Sequence, residues 1–240
     1  MADTGLDVLA IGSHPDDVEL TCAGTLIKCA DQGYRTGILD LTAGEMGSRG
    51  SAEIRAVEAA QAASIMGVEQ RHNAGLPDAA ICNSAENREA LVSILRDLRP
   101  RIVILPFPRG RHPDHRLGSE LARDACFLAG LARFGPGMPH RPTKVVYAMS
   151  FREDAVKPTF VVDIEAQFER KMSAIRCFAS QFDDAVKAGE AFPTGQPLYG
   201  LIEAQNRHYG SLIRRGFGEP FFTEETMEVD DLVQLGVSTF

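Results

Sequence analysis

The sequence predicts an α/β fold: a single-domain, Rossmann-like, mostly parallel sheet with helices on both faces. Three observations predict it. Short apolar runs alternate with longer segments of helical spacing. The apolar runs lack polar alternation, as expected of strands that crossover helices bury on both faces. A chain of 240 residues with 44% hydrophobic content fills one large core, and no repeat, low-complexity tract or long linker divides it, so residues 1–240 read as one domain.

The elements follow in order. Val8-Leu9-Ala10-Ile11-Gly12 reads as a buried strand, followed by helical spacing over 20–32 that stops at Gly33. A second strand is expected over 35–41. It opens into a polar, glycine-rich loop from Thr42 to Gly50. Ser51 begins an alanine-rich helix that reaches Met66 and closes at Gly67. A short strand over 69–73 runs into Gly75-Leu76-Pro77-Asp78, and Asn83 or Ser84 caps a helix ending near Arg99. The run 101–106, β-branched or leucine almost throughout, is the clearest buried strand. After it come the loop Pro108 to His115, a helix over 114–129 and a Gly/Pro-rich link over 135–139. Strands are expected at 144–149 and 159–163, and helices near 164–182 and 201–213. Pro193, Gly195 and Pro197 mark 189–199 as a mobile loop.

Composition excludes several classes of function. A net charge of −8 and a pI near 5.3 provide no basic face for nucleic acid, so a small molecule is the expected partner. No run approaches the ~18 apolar residues of a membrane span, and the N-terminus lacks the pattern of a signal peptide, so a cytoplasmic protein is expected. Five cysteines, widely spaced and without a C-x-x-C pair, are expected to be reduced; Cys22 alone lies close to a motif of interest.

The chemistry lies in two His-Pro-Asp sequences, each directly after a predicted buried strand: Ser13-His14-Pro15-Asp16-Asp17 and His112-Pro113-Asp114-His115. In a parallel sheet both strand ends fall on one edge, where ligands bind in open α/β folds. His14, Asp16, Asp17, His112, Asp114 and His115 are thus six candidate groups for one cation centre, and a catalytic site would use three of them and leave a position for water. Pro15 and Pro113 restrict the backbone beside each histidine. The competing structural reading makes these loop histidines part of helix caps, with Asp17 or Asp114 as the N-cap. His72, His140 and His208 belong to no cluster.

These residues, together with Thr42-Ala43-Gly44-Glu45, Arg49-Gly50, Glu53-Ile54-Arg55 and Gly75-Leu76-Pro77-Asp78, resemble the LmbE-like (PIG-L) zinc-dependent N-deacetylases. Phe160-Val161-Val162-Asp163, Ser180-Gln181-Phe182 and Glu219-Pro220-Phe221-Phe222 extend the resemblance over nearly the whole chain, and it is nearest the bacillithiol-biosynthesis branch. The resemblance implies His14, Asp17 and His115 as zinc ligands, with ferrous iron as the other candidate metal, and Asp16 as the general base. It implies His112, oriented and kept charged by Asp114, as the electrophile that donates a proton to the departing amine. The implied substrate is N-acetylglucosaminyl malate, with mycothiol-type conjugates, GlcNAc and chitooligosaccharides as alternatives. Arg55, Arg111 and Glu45 become substrate contacts, and Tyr199 a mobile wall. The implied assembly is a homo-oligomer, with a hexamer as the candidate state.

Rival classes fare worse. A dinucleotide-binding protein is disfavoured because the first strand-to-helix turn lacks G-x-G-x-x-G and carries two acids that repel a pyrophosphate. A two-histidine, one-carboxylate iron oxygenase uses the same ligand types but leaves Asp16 and the second motif unexplained. A non-catalytic sugar-binding protein is the remaining alternative.

Overall fold

Alternation along each buried strand splits its side chains between two cores. Leu9 and Ile11 join one cluster with Leu39, Val103 and Leu105, while Val8 and Ala10 join the other with Ile38 and Ile104. A period of two on a strand with no polar face requires cover on both sides. The computed structural model describes residues 5–149, 156–183 and 198–237. Its elements are β1 (Val8–Gly12), α1 (Asp17–Asp31), β2 (Thr36–Asp40), α2 (Ala52–Met66), β3 (Gln70–Asn73), α3 (Ala85–Leu98), β4 (Ile102–Pro106), α4 (Pro113–Leu128), β5 (Lys144–Ala148), β6 (Phe160–Asp163), α5 (Phe168–Arg176), α6 (Ala179–Phe182), α7 (Leu198–Leu212) and β7 (Gly218–Phe222).

Seven strands form one sheet in the order β3-β2-β1-β4-β5-β7-β6. The strands β3, β2, β1, β4 and β5 pair parallel, with Val8 opposite both Thr36 and Ile102. From β1 the chain winds outward through β2 to β3, then returns to place β4 on the other side of β1. The crevice between the ends of β1 and β4 is therefore the point where the winding reverses, the usual ligand site of such sheets. Helices α3 and α4 cover one face through Leu91, Val92, Leu95, Leu121 and Ala125. On the other face lie α1, α2 and α5, through Leu26, Ile27, Ala62, Met66 and Ala174.

Local chemistry sets most boundaries. The Ser51 hydroxyl accepts the Ile54 N–H at 3.3 Å and the Ser84 hydroxyl accepts that of Asn87 at 3.1 Å. Gly67 closes α2 in the left-handed conformation, φ 73°. All five cysteines are unpaired.

Three features differ from the sequence expectation. The strand β7 was not expected, because Pro220 interrupts it. It runs antiparallel to both β5 and β6, and the proline sits where β5 pairing ends, its carbonyl accepting the Met149 N–H at 3.1 Å. One missing ladder bond costs about 0.5–1.5 kcal/mol. Burying Phe221, which is 1% exposed, contributes about 1.5–3 kcal/mol, so the strand forms. The helical stretch 164–182 divides into α5 and α6, turning at Phe178 to bury its ring completely. Helix α1 begins at Asp17 rather than near residue 20 and is broken at Cys22 (φ −142°, ψ 17°). Of the loop expected at 189–199, residues 189–197 lie outside the described residues, while Leu198 and Tyr199 open α7.

Candidate active site

Two strand ends deliver the two His-Pro-Asp loops to one crevice. The His14 backbone N–H donates to Asp17 Oδ2 at 2.9 Å, folding the first loop back so that His14 Nδ1 lies 3.4 Å from the same oxygen. His115, in the first turn of α4, places Nε2 3.1 Å from Asp17 Oδ1. The ring centroids of His14, His112 and His115 are 5.0–5.5 Å apart. All six candidate groups thus converge at the end of β1 and β4.

This donor set fits a divalent cation. Nitrogen or oxygen atoms from His14, Asp17 and His115 all lie within 4.8 Å of one another. A tetrahedral ion with bonds of about 2.0–2.1 Å would separate its ligands by about 3.3 Å; His14 Nδ1 lies 3.4 Å from Asp17 Oδ2 and His115 Nε2 3.1 Å from Asp17 Oδ1, so each imidazole is at a suitable distance from one oxygen of the carboxylate. His14, His112 and Asp114 also group within 4.8 Å on the far side of His14. There, however, Asp114 Oδ2 already accepts the Ala79 N–H at 2.8 Å. On that side His14 Nε2 lies 3.0 Å from Asp78 Oδ1 and 3.3 Å from Asp114 Oδ2. A carboxylate behind one ring nitrogen directs the other toward a metal, which assigns Nδ1 of His14 to the Asp17 side.

The electrostatics follow from four carboxylates, Asp16, Asp17, Asp78 and Asp114, gathered around three imidazoles. Burial pushes the Asp16 carboxyl up to about 8, and the neighbouring Asp17 charge adds to the effect. Burial acts the same way on Asp17, but His115 and His14 outweigh it and hold Asp17 well below the usual carboxylate range. Burial opposes protonation of His14, yet Asp17, Asp16 and Asp78 raise it to about 10. Asp17 likewise overcomes burial to raise His115. His112 differs: burial lowers its pKa, and the charges of His115 and His14 lower it further.

The backbone at Asp16 is strained. Its φ of 120° lies in a region that L-residues avoid, and the side chain makes no capping hydrogen bond at the start of α1. Such strain persists only where surrounding contacts over-determine it. Here the carboxylate is left to line a cleft of about 240 Å³ with His14, Met46, Gly47, Arg55, Asp78, Ala79 and His112.

Several expectations about supporting residues change. The Asp114 carboxylate was expected to orient His112, but it faces His14 and Ala79 instead. The backbone N–H of Asp114 does the orienting, donating to His112 Nδ1 at 3.2 Å with His112 as the N-cap of α4. That places the proton of neutral His112 on Nε2. Glu45, expected to contact substrate, accepts the Asp78 N–H at 2.8 Å, while Asp78 Oδ2 accepts the Met46 N–H at 2.9 Å; the pair staples the glycine loop to the end of β3. Arg111 is exposed and Tyr199 packs with α5, where Arg176 lies 5.6 Å from its ring; neither lines the cleft.

Arg55 does reach the cleft. Its guanidinium lies under the 44–47 loop, and a Cβ on Gly47 would come within 2.7 Å of Nη2, so a larger residue there would have to displace the guanidinium. Arg55 donates through Nη2 to Gln181 Oε1, while its buried Nε has no partner among the described residues. The sequence placed Asp78 and Gln181 within motifs of the family resemblance but assigned neither a role; their contacts with His14 and Arg55 depend on distant chain.

Comparison with known proteins agrees with this geometry. Residues 9–126 match the family described as PIG-L, GlcNAc-PI de-N-acetylase. The chain is similar to the diacetylchitobiose deacetylase of Thermococcus kodakarensis, 33% identical over 195 residues, 75% of this chain and 71% of the relative. A probable N-acetyl-alpha-D-glucosaminyl L-malate deacetylase 2 of Bacillus anthracis is 28% identical over 192 residues, 73% of this chain and 81% of the relative. In structure, the chain resembles the conserved protein TT1542 from Thermus thermophilus, with a TM-score of 0.83, 37% identity and coverage of 94% and 98% of the two chains. With both His-Pro-Asp loops in place and this similarity along most of its length, the chain belongs to the PIG-L (LmbE-like) family of hydrolytic N-deacetylases.

Proposed function

We propose that the protein removes the acetyl group from an N-acetylglucosaminide, using a divalent cation held by His14, Asp17 and His115. One observation carries the reading: Asp16 and His112 line the same cleft, directly beside that ligand set. When bound, the ion supplies Lewis acidity toward the acetamide carbonyl and acidifies water. Zinc and ferrous iron both suit two imidazoles and a carboxylate. Asp16 takes the proton of the attacking water as general base. His112, fixed through Nδ1, presents Nε2–H to the carbonyl oxygen as negative charge develops, and the proton taken up by Asp16 passes to the departing amine. Acetate and the free amino sugar leave.

For the aglycone, N-acetylglucosaminyl malate is the first candidate. A relative named as a malate deacetylase supports it, as does Arg55 in the cleft, since a guanidinium suits a carboxylate. The tie between Arg55 and Gln181 favours a second reading, an uncharged aglycone as in diacetylchitobiose, because a malyl group would have to compete with Gln181. A homo-oligomer, with a hexamer as the candidate state, belongs to the same proposal. Ile54, Val57 and Ile65, exposed along α2, are apolar surface for such a contact.

Metal analysis of the purified protein, followed by amine-release assays on GlcNAc-malate, GlcNAc-inositol, diacetylchitobiose and GlcNAc with and without chelator, tests the proposal. Metal-dependent release from at least one substrate is expected. A folded, metal-loaded protein inactive on all four, or activity indifferent to chelation, overturns it. Light scattering of the eluting protein reads the assembly.

A further inference from the structure

The most deeply buried ion pair among the described residues lies outside the cleft. Lys171 on α5 and Glu219 on β7 are both fully buried, with Nζ donating to Oε1 at 2.7 Å. Two charges taken out of water gain little net stability over apolar side chains of the same volume, so their other contacts are informative. Glu219 Oε1 also accepts the Gly24 N–H at 2.9 Å. Its Oε2 accepts the Thr25 N–H at 2.7 Å and the Thr25 hydroxyl at 2.6 Å. Four donors fill the carboxylate.

Three of those donors, from Gly24 and Thr25, belong to the break in α1. At Cys22 the backbone leaves helical geometry, separating a front turn that starts at Asp17 from the helix that resumes toward Asp31. The resumed helix presents its first N–H groups to Glu219, which caps it as a side chain from within the turn normally would. The restart has no slack, since a Cβ on Gly24 would come within 2.8 Å of the Ile164 side chain. In the front turn, the Leu20 N–H donates to the Asp16 carbonyl at 3.0 Å and the Thr21 hydroxyl to the Asp17 carbonyl at 2.7 Å.

We propose that Glu219, charge-balanced by Lys171, is a positioning residue for the metal site: by capping the restart of α1 it fixes the tilt of the front turn and so the aim of the Asp17 carboxylate. This rests on the proposed role of Asp17 as a ligand. The test measures the Zn²⁺ dissociation constant of the full chain by competition with a chromophoric chelator, well below the melting temperature of each variant. Glu219→Gln removes one acceptor oxygen and the charge, and is expected to weaken Zn²⁺ binding roughly 10–100-fold, as loss of partners behind metal ligands does. Thr25→Val removes only the hydroxyl donor and should weaken it by less. Leu95→Ala, buried under the opposite face of the sheet, is the control: it lowers stability and should leave Zn²⁺ affinity unchanged. If Glu219→Gln does not fold, Thr25→Val decides. Variants that lose stability yet bind Zn²⁺ as tightly as the parent overturn the proposal. A parent that takes up no Zn²⁺ overturns the ligand assignment of Asp17, and this inference with it.

Discussion

His112 Nδ1 accepts the backbone N–H of Asp114 at 3.2 Å, so the residue that caps α4 is also the one facing the cleft. The two roles separate by substitution. His112→Ala should lose roughly 10²–10⁴-fold in kcat and about 1 kcal/mol of stability with the cap. Asparagine is a good N-cap, so His112→Asn should recover the stability but not the turnover. Denaturant titration and initial rates check both. An Asn variant as unstable as the Ala variant would remove the cap from the account.

Asp16 and Asp17 are neighbours with different assignments. Asp16→Asn should retain zinc and lose most turnover, whereas Asp17→Ala should lose zinc; the reverse pattern refutes the division. The positive φ of Asp16 adds a further expectation. Asp16→Gly should be more stable than Asp16→Ala by on the order of 1–3 kcal/mol, because only glycine adopts that backbone without strain. Equal melting curves for the two would show that the backbone relaxes.

Asp40 provides a pH signature away from the cleft. The Arg71 guanidinium serves two buried acids, Asp40 and Glu19. Burial pushes Asp40 up to about 6 against the pull of Arg71, and the Glu19 charge adds to the rise. A raised acid binds its proton more tightly in the folded state, so its contribution to stability falls as pH rises from about 3.9, the ordinary carboxylate value, toward 6, and is level above that. Asp40→Asn mimics the protonated form. Its stability relative to the parent should therefore rise between about pH 4 and pH 6 and then plateau, as read by urea unfolding at each pH. A difference that is flat or falls over this window would contradict the assignment.

Cysteine reactivity should follow burial. Cys82 is exposed, whereas Cys22 and Cys126 are buried, and burial raises both thiols, Cys126 to about 12. Only the thiolate alkylates. With iodoacetamide at neutral pH, mass spectrometry should find Cys82 modified first and Cys22 and Cys126 modified only after denaturation. Early labelling of Cys22 would mean that the break in α1 opens readily.

Where local chemistry decides, the sequence was readable. The apolar runs of β1 and β4, the serines at 51 and 84 and the glycine at 67 specify their elements almost unaided, and proline-flanked histidines after two such strands announce a shared centre. Relationships set by distant chain were not readable. Whether the carboxylate or the N–H of Asp114 meets His112 depends on Ala79 and His14, which occupy the carboxylate first. Asp78 joins His14 only because β3 lies two strands from β1 on the same edge. Pro220 hid β7, since nothing local indicates that its nitrogen falls where β5 pairing stops. The break at Cys22 has its cap nearly two hundred residues away.

That cap ties the order of synthesis to the site. The parallel part of the sheet, β1 to β5, and both His-Pro-Asp loops emerge before residue 149, but β7 enters between β5 and β6 only after residue 218 has been made. Until then β5 and β6 lack their shared neighbour and present open strand edges, which favour association with other chains. The α1 restart lacks Glu219 over the same interval. A nascent chain would thus carry all its cleft residues while its first helix awaits its final support, so truncation before Gly218 should yield an aggregation-prone protein rather than a smaller enzyme.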